Sequence, residues 1–139
     1  MIEIICGEKG KGKTKQLIDK ANSAVDSISG NIVYIDKDAE KRFELSNKIR
    51  LINLSEYEVY DSHELMGFIC GILSQDYDLE EIFLDSFLKL SNLKDDEIEE
   101  AMVKLKEISD RLNVNFVLSL SKKPEELTEY TRSFVVENL

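Results

Sequence analysis

A glycine- and lysine-rich segment near the start of the chain restricts its possible folds more than any other feature. Gly7–Thr14 reads GEKGKGKT, which fits the pattern G-x-x-x-x-G-K-[ST] at every fixed position. Residues 2–6 before it form a short apolar run typical of a buried strand, and a helical pattern follows from Lys13. A strand, a glycine-rich loop and a helix in this order predict a loop whose backbone N–H groups hold phosphate groups.

The rest of the chain alternates between predicted strands and predicted helices. Apolar residues recur at helical spacing over 13–28, 62–75 and 95–111. The predicted strands are short, nearly continuous apolar runs at 2–6, 32–35, 48–54, 81–85, 114–120 and 133–136. Strands of this kind are typical of a parallel sheet covered by helices on both faces. We therefore predict an α/β fold, a three-layer α/β/α sandwich with a mostly parallel sheet of five or six strands, formed by residues 1–139 as a single domain.

Local signals add further expectations. Asp61 and Glu64 fit a capping box at the start of the second helix. Pro124, followed by two Glu residues, predicts a short acidic helix. We also expect a short helix over 39–47. The two cysteines, Cys6 and Cys70, are too few for a disulfide framework and lie among apolar neighbours, so we expect reduced, buried thiols.

Acidic residues outnumber basic residues, and the charge is unevenly distributed. The chain has 18 Lys and Arg against 28 Asp and Glu, a net charge of −10. Residues 1–50 hold ten basic and eight acidic residues, a net charge of +2, so the remainder carries −12. Because nucleic acids and anionic membranes bind basic surfaces, we expect no general nucleic-acid binding. No apolar run approaches the roughly 18–20 residues of a membrane span, and the first residues do not resemble a signal peptide, so we expect a cytoplasmic protein.

The residues of the loop suit a triphosphate. Glycines let the backbone approach the phosphates closely, although the pattern itself does not require Gly10. We expect the Lys13 ammonium to reach the β- and γ-phosphates and the Thr14 hydroxyl to bind Mg²⁺. The predicted nucleotide-binding residues of this segment are Gly7, Glu8, Lys9, Gly10, Lys11, Gly12, Lys13, Thr14 and Lys15, with Lys9 and Lys11 as charges on the outer rim.

With this motif the sequence resembles the P-loop NTPase superfamily, whose Walker A motif has the same fixed residues. The resemblance implies that the chain binds ATP with Mg²⁺ on a doubly wound sheet and that Lys13 is a catalytic residue. The superfamily's second motif is a hydrophobic strand that ends in an Asp, which holds Mg²⁺ through water. Ile82-Phe83-Leu84-Asp85 matches this motif, so the resemblance assigns Asp85 to the metal. Asp36, which follows the apolar run 32–35, is the alternative.

The resemblance is incomplete at the catalytic base. Many ATPases of the superfamily carry a Glu directly after the second-motif Asp, where this chain has Ser86. Some relatives place the base at the end of a neighbouring strand, and by that resemblance Asp36 is our candidate, ahead of Asp38. A polar residue on the strand beside the loop often senses the γ-phosphate, and Ser119 and Ser121 are the candidates for that role.

Other motifs of related enzymes are missing. The guanine-reading pattern N/T-K-x-D has no match, since the nearest text is 121–124, Ser-Lys-Lys-Pro, so we expect ATP. The chain has four arginines, spread along its length, which disfavours the Arg-rich lid of nucleoside-monophosphate kinases. The chain also resembles short bacterial P-loop proteins that are sometimes labelled after the twitching-motility retraction ATPases. Because residues 1–139 do not contain the extra N-terminal domain or the His- and Asp-rich motor motifs of those machines, we take the label to indicate nucleotide binding and not motility.

Together these features predict an ATP-binding protein with weak or partner-dependent, Mg²⁺-dependent ATPase activity. Such a protein would act as a switch or as an assembly subunit, either as a homo-oligomer or with a protein partner. A small-molecule or nucleoside kinase is the first alternative, with Asp36 or Asp85 positioning the acceptor hydroxyl. A non-catalytic nucleotide-binding module is the second alternative.

Overall fold

The strands form one sheet in a computed structural model that describes residues 1–38 and 43–139. They are β1 Ile2–Cys6, β2 Asn31–Asp36, β3 Arg50–Asn53, β4 Leu79–Leu84, β5 Asn115–Leu120 and β6 Val135–Asn138. Their order across the sheet is β3-β2-β4-β5-β1-β6, and every neighbouring pair is parallel. The carboxyl ends of all these strands therefore meet at one edge, which we call the carboxyl edge.

Helices connect the strands. They are α1 Lys13–Ser27, α2 Ser62–Gln75, α3 Phe87–Ser91, α4 Ile98–Leu112 and α5 Glu129–Arg132, with 3-10 turns at Leu54–Glu56, Asp95–Glu97 and Pro124–Glu126. Asp61 caps α2, because its carboxylate accepts the Glu64 N–H at 2.9 Å. The Glu64 side chain reaches back to the Tyr60 N–H at 2.8 Å, one residue earlier than in a standard capping box.

The core has two parts, one on each face of the sheet. On one face, strand residues such as Ile5, Tyr34 and Phe83 pack against the apolar side of α1. On the other face, alternate strand residues such as Ile4 and Leu84 belong to a larger cluster with α2, α3 and α4. Successive residues of a strand point to opposite faces, so a strand buried on both sides must be apolar throughout. The three-layer α/β/α fold is therefore confirmed, with a sheet of six strands that is parallel throughout.

Some element boundaries differ from the sequence predictions. The last strand begins two residues later than expected, because Ser133 still donates its N–H to the Glu129 carbonyl and closes α5. Residues 43–47 form turns and no helix, whereas the first part of that predicted helix, 39–42, lies outside the described residues. The short helix α3 was not predicted, because five residues are too few for a helical period to be recognised.

The expectation of two buried thiols is correct for Cys6 and wrong for Cys70. Cys6 and Cys70 are both free thiols, and Cys6 is buried while Cys70 is partly exposed. Over the described ranges, no helix has the length and apolar character needed to cross a membrane.

Candidate functional site

The loop between β1 and α1 depends on glycine backbone conformations. Gly7, Gly10 and Gly12 have φ angles of 152°, 85° and 90°, which side-chain-bearing residues rarely adopt. Gly10 therefore meets a conformational need of this loop that the sequence pattern alone did not indicate. A Cβ atom at Gly10 or Gly12 would meet no atom within 4 Å, so the space above these two glycines is open. A ligand can approach the loop backbone from that side.

Helix α1 begins at the loop and directs its first turn toward the carboxyl edge. Gly12 is its N-cap and has no side chain that could occupy the free N–H groups of the first turn. These N–H groups and the positive end of the helix dipole favour an anion at this place.

Lys13 lies at the end of the loop and is shielded from solvent. Its side chain is buried, and its Nζ donates to the Glu8 carbonyl oxygen at 2.9 Å, across the loop. Burial lowers the pKa of Lys13, while the nearby Asp85 carboxylate opposes that shift. The loop thus holds a cationic group against its own backbone.

Asp85 accepts hydrogen bonds on both carboxylate oxygens. Its Oδ1 lies 3.1 Å from Thr14 Oγ1 and 3.3 Å from Ser119 Oγ, and Ser86 Oγ lies at 3.4 Å. Its Oδ2 accepts the Tyr34 hydroxyl at 2.8 Å. Thr14 and Asp85 are 71 positions apart in the sequence, and the parallel sheet brings them together. The structure therefore joins Thr14 and Asp85, the two residues that the sequence analysis assigned to the metal.

The alternation of the strands explains this convergence. Asp85, Ser119 and Asp36 each lie two residues after an apolar or aromatic residue of the α1-side core, namely Phe83, Val117 and Tyr34. Residues two apart in a strand share a face, so all three polar side chains fall on the side where α1 begins.

Asp36 is buried beside Asp85. The backbone N–H of Asp85 donates to the Ile35 carbonyl, and the Asp36 Oδ1 accepts the Lys37 N–H at 2.7 Å. Burial, reinforced by the negative charge of Asp85, raises the pKa of Asp36 to about 6. A carboxylate with such a pKa can take up and release a proton near neutral pH.

Ser119 is fully buried, whereas Ser121 is exposed beyond the end of β5. The Ser119 hydroxyl accepts the Ser86 N–H at 2.7 Å and lies within hydrogen-bond distance of Asp85. A hydroxyl group has one proton to donate, so a bond from Ser119 to a phosphate would replace its bond to Asp85. Its role as a γ-phosphate sensor remains a prediction.

The remaining charged residues of the predicted set lie at the rim. Lys9 and Lys11 are exposed, as expected for outer-rim charges. Lys15 is exposed on α1 and forms an ion pair with Asp19 at 2.9 Å. Glu8 faces Lys123 at 3.5 Å, and this contact joins the loop to the segment after β5. The Gly7 N–H strengthens the same connection by donating to the Lys122 carbonyl.

A metal ion at this site would need ligands from outside the chain. In the part of the chain that the structure describes, no group of three or more His, Cys, Asp or Glu side chains could hold a metal ion. Thr14 and Asp85 offer a hydroxyl and a carboxylate, which is the donor set of a Mg²⁺ that takes its other oxygens from phosphates and water. The residues present therefore fit Mg²⁺ bound together with a phosphate ligand.

Tyr34 is the site residue that the sequence analysis missed. Its apolar neighbours in β2 make it look like an ordinary core residue, and it is indeed fully buried. The available signal was its position two residues before Asp36, which places its ring on the face that carries the polar cluster.

No protein-family model matches the chain, and no curated protein is significantly similar to it.

Proposed function

We propose that the chain is an ATP-binding P-loop protein that uses Mg²⁺ and has weak or partner-dependent ATPase activity. The observation that carries the proposal is the hydrogen bond between Thr14 and Asp85 at 3.1 Å. The first residue ends the glycine-rich motif and the second directly follows the strand of the candidate second motif, and a shared metal and phosphate site explains why they meet. The parallel sheet with the loop at its carboxyl edge supports the same function.

The electrostatics of the loop favour a triphosphate. Lys13, the first-turn N–H groups of α1 and the open space above Gly10 and Gly12 converge on one side of the loop. On nucleotide binding, the Lys13 ammonium exchanges the Glu8 carbonyl for phosphate oxygens, which are stronger, charged acceptors. Thr14 and Asp85 would hold Mg²⁺, which would neutralise part of the charge of the phosphates.

The residues around the phosphate site support slow turnover. Ser86 follows Asp85 where a stronger base is common, and a serine hydroxyl does not accept a proton near neutral pH without help. Among the arginines in the described residues, Arg50 starts β3 and Arg111 lies in the last turn of α4, both at the edge opposite the loop. Arg132 donates to the carbonyls of Pro124 and Leu127. The fourth arginine, Arg42, lies outside the described residues. We propose a cytoplasmic switch or assembly subunit in which a neighbouring chain or a protein partner supplies the arginine that stabilises the transition state.

A kinase is the second candidate function, and the observation that favours it is Asp36. Its raised pKa of about 6 suits a general base that accepts the proton of an acceptor hydroxyl. Transfer of phosphate from ATP to a panel of nucleosides and small metabolites distinguishes this function from hydrolysis. A protein that binds ATP and does neither is a non-catalytic binding module.

Titration calorimetry with MgATP tests the proposal. Lys13→Ala removes the charged hydrogen bonds to the phosphates, worth about 1.5–3 kcal/mol, so affinity should fall roughly 10–100-fold. Lys104→Ala is the matched control, since Lys104 is an exposed lysine of α4. Equal affinities of wild type and Lys13→Ala, with both proteins folded, would contradict the phosphate-binding role of the loop.

A further inference from the structure

We infer that Tyr34 is a positioning residue for Mg²⁺, because its hydroxyl fixes the Asp85 carboxylate in the orientation that meets a metal ion at Thr14. This inference rests on the proposed function, since it takes MgATP to be the ligand of the loop. Tyr34 belongs to neither sequence motif, and its role follows from the contacts of its side chain alone.

The ring of Tyr34 has a fixed place. It stacks on Phe83, its partner residue on the neighbouring strand, with ring centroids 6.1 Å apart and an angle of 12° between the planes. The side chain is fully buried between the sheet and α1. Packing of this density leaves the ring little freedom, so the position of the hydroxyl group at its tip is defined.

The Tyr34 hydroxyl binds the carboxylate oxygen of Asp85 that Thr14 does not contact. Tyr34 donates to Asp85 Oδ2 at 2.8 Å, while Thr14 contacts Oδ1 at 3.1 Å. Rotation of the carboxylate would break at least one of these bonds. A phenol is protonated at neutral pH, so the Tyr34 hydroxyl is a donor to the carboxylate.

The orientation of the carboxylate matters for Mg²⁺ in particular. Mg²⁺ demands near-ideal octahedral geometry, and a ligand or a ligand-bound water that is turned away weakens the site. Partners that orient metal ligands typically change metal affinity about 10–100-fold when they are lost. A tyrosine that only fills the core would instead affect folding and leave the contribution of Mg²⁺ to ATP binding unchanged.

The test measures ATP binding by calorimetry with and without Mg²⁺. The readout is the ratio of the two dissociation constants, which reports how strongly Mg²⁺ promotes ATP binding. Tyr34→Phe keeps the ring and removes the hydroxyl, so the ratio should fall about 10-fold while Mg²⁺-free binding stays within about twofold of wild type. Tyr60→Phe makes the same chemical change at an exposed tyrosine and should leave both constants unchanged.

Each other outcome has a defined meaning. An unchanged ratio in folded Tyr34→Phe overturns the inference, and so does an equal loss of affinity with and without Mg²⁺. If Tyr34→Phe does not fold, it is combined with Gly71→Ala, a change in α2 that adds a helix-favouring residue where a Cβ meets nothing within 4 Å, and is compared with Gly71→Ala alone. A lower ratio in the double variant supports the inference, and equal ratios overturn it. Absence of Mg²⁺-promoted ATP binding in the wild type overturns the proposed function and this inference together, whereas a change confined to Tyr34→Phe concerns the inference alone.

Discussion

Asp36 and Asp85 leave the sheet side by side, because Ile35 pairs with Leu84 on the neighbouring strands β2 and β4. Both carboxylates are buried, and the negative charge of Asp85 helps to raise the pKa of Asp36. Two acidic groups in such proximity do not stabilise a fold by themselves. Their arrangement is understandable if a cation and a proton are part of the chemistry at this edge.

The stability of the chain should depend on the protonation of Asp36. Its pKa is about 6 in the folded chain against an ordinary value of 3.8, so the folded state binds the proton more tightly than the unfolded state. The contribution of Asp36 to stability is therefore greatest below pH 4 and is lost as the pH rises through 6. Asp36→Asn removes this loss. The free energy of unfolding of Asp36→Asn minus that of wild type should therefore increase by roughly 2–3 kcal/mol between pH 4 and pH 7.

Urea unfolding of both proteins over that pH range measures the effect. Asp26→Asn, a change at an exposed Asp of α1, is the control and should show no comparable trend. A constant difference between Asp36→Asn and wild type across the range would contradict the raised pKa.

Asp85→Asn should separate the metal from the nucleotide. The amide removes the negative charge that faces Thr14, so Mg²⁺ should promote ATP binding at least about 10-fold less than in wild type. Binding of ATP without Mg²⁺ should remain nearly intact, because the loop and Lys13 are unchanged. Calorimetry with and without the metal provides both constants. If Asp36→Asn gives this result and Asp85→Asn does not, the second motif lies on β2 and our assignment to β4 is wrong.

The isolated chain should hydrolyse ATP slowly, well below the median enzyme turnover of about 10 s⁻¹. The loop and Mg²⁺ bind charge that is present before and after the reaction, and uniform binding of that kind does not raise turnover. A steady-state phosphate-release assay, with Asp36→Ala for comparison, measures the rate. Fast turnover at low protein concentration would reveal a complete catalytic set within one chain. A rate per chain that rises steeply with protein concentration would indicate a site completed by a neighbouring subunit.

Two glycines far from the loop offer a matched test of packing. At Gly30 an added Cβ would overlap the Asp78 carbonyl oxygen and the Glu80 side chain, whereas at Gly71 in α2 it would meet nothing within 4 Å. Gly30→Ala should therefore destabilise the chain by about 1–3 kcal/mol. Gly71→Ala should stabilise it by roughly 0.5–1 kcal/mol, since alanine favours a helix interior. Urea denaturation of both variants checks the opposite signs.

Much of the fold could be predicted because its signals are local. The apolar runs before Gly7 and Asp85, and the helical spacing from Lys13 onward, depend on neighbours within a few residues. The start of the last strand was harder to predict. The hydrogen bond from the Ser133 N–H to the Glu129 carbonyl keeps Ser133 in the last turn of α5, and the sequence pattern does not indicate that bond. The order of the strands across the sheet follows from pairings between distant segments, which no local pattern reports.

The candidate site was predictable only in part. The motif at Gly7–Thr14 and the strand before Asp85 named the two residues that meet. The pattern of an apolar strand before an Asp fits Asp36 as well, and we preferred Asp85 for its place in the resemblance to the superfamily. The bond from Thr14 to Asp85 favours the first choice. Tyr34 escaped prediction because its hydrogen bond to the site joins it to Asp85, 51 positions away, which the pattern of its own strand does not reveal.

The order of the strands has a consequence for the synthesis of the chain. Strand β1 leads into the glycine loop, yet its two neighbours in the sheet are β5 and β6, which are translated after the other strands of this sheet. While the ribosome synthesises the segments between β1 and β5, β1 has no neighbouring strand to pair with, and the glycine loop is not anchored to a sheet. Closing contacts of this sequence separation is entropically costly and slow. Capacity to bind a ligand should therefore arise late, in one step with the completion of the sheet, and a nascent chain that stops before β5 should lack it altogether.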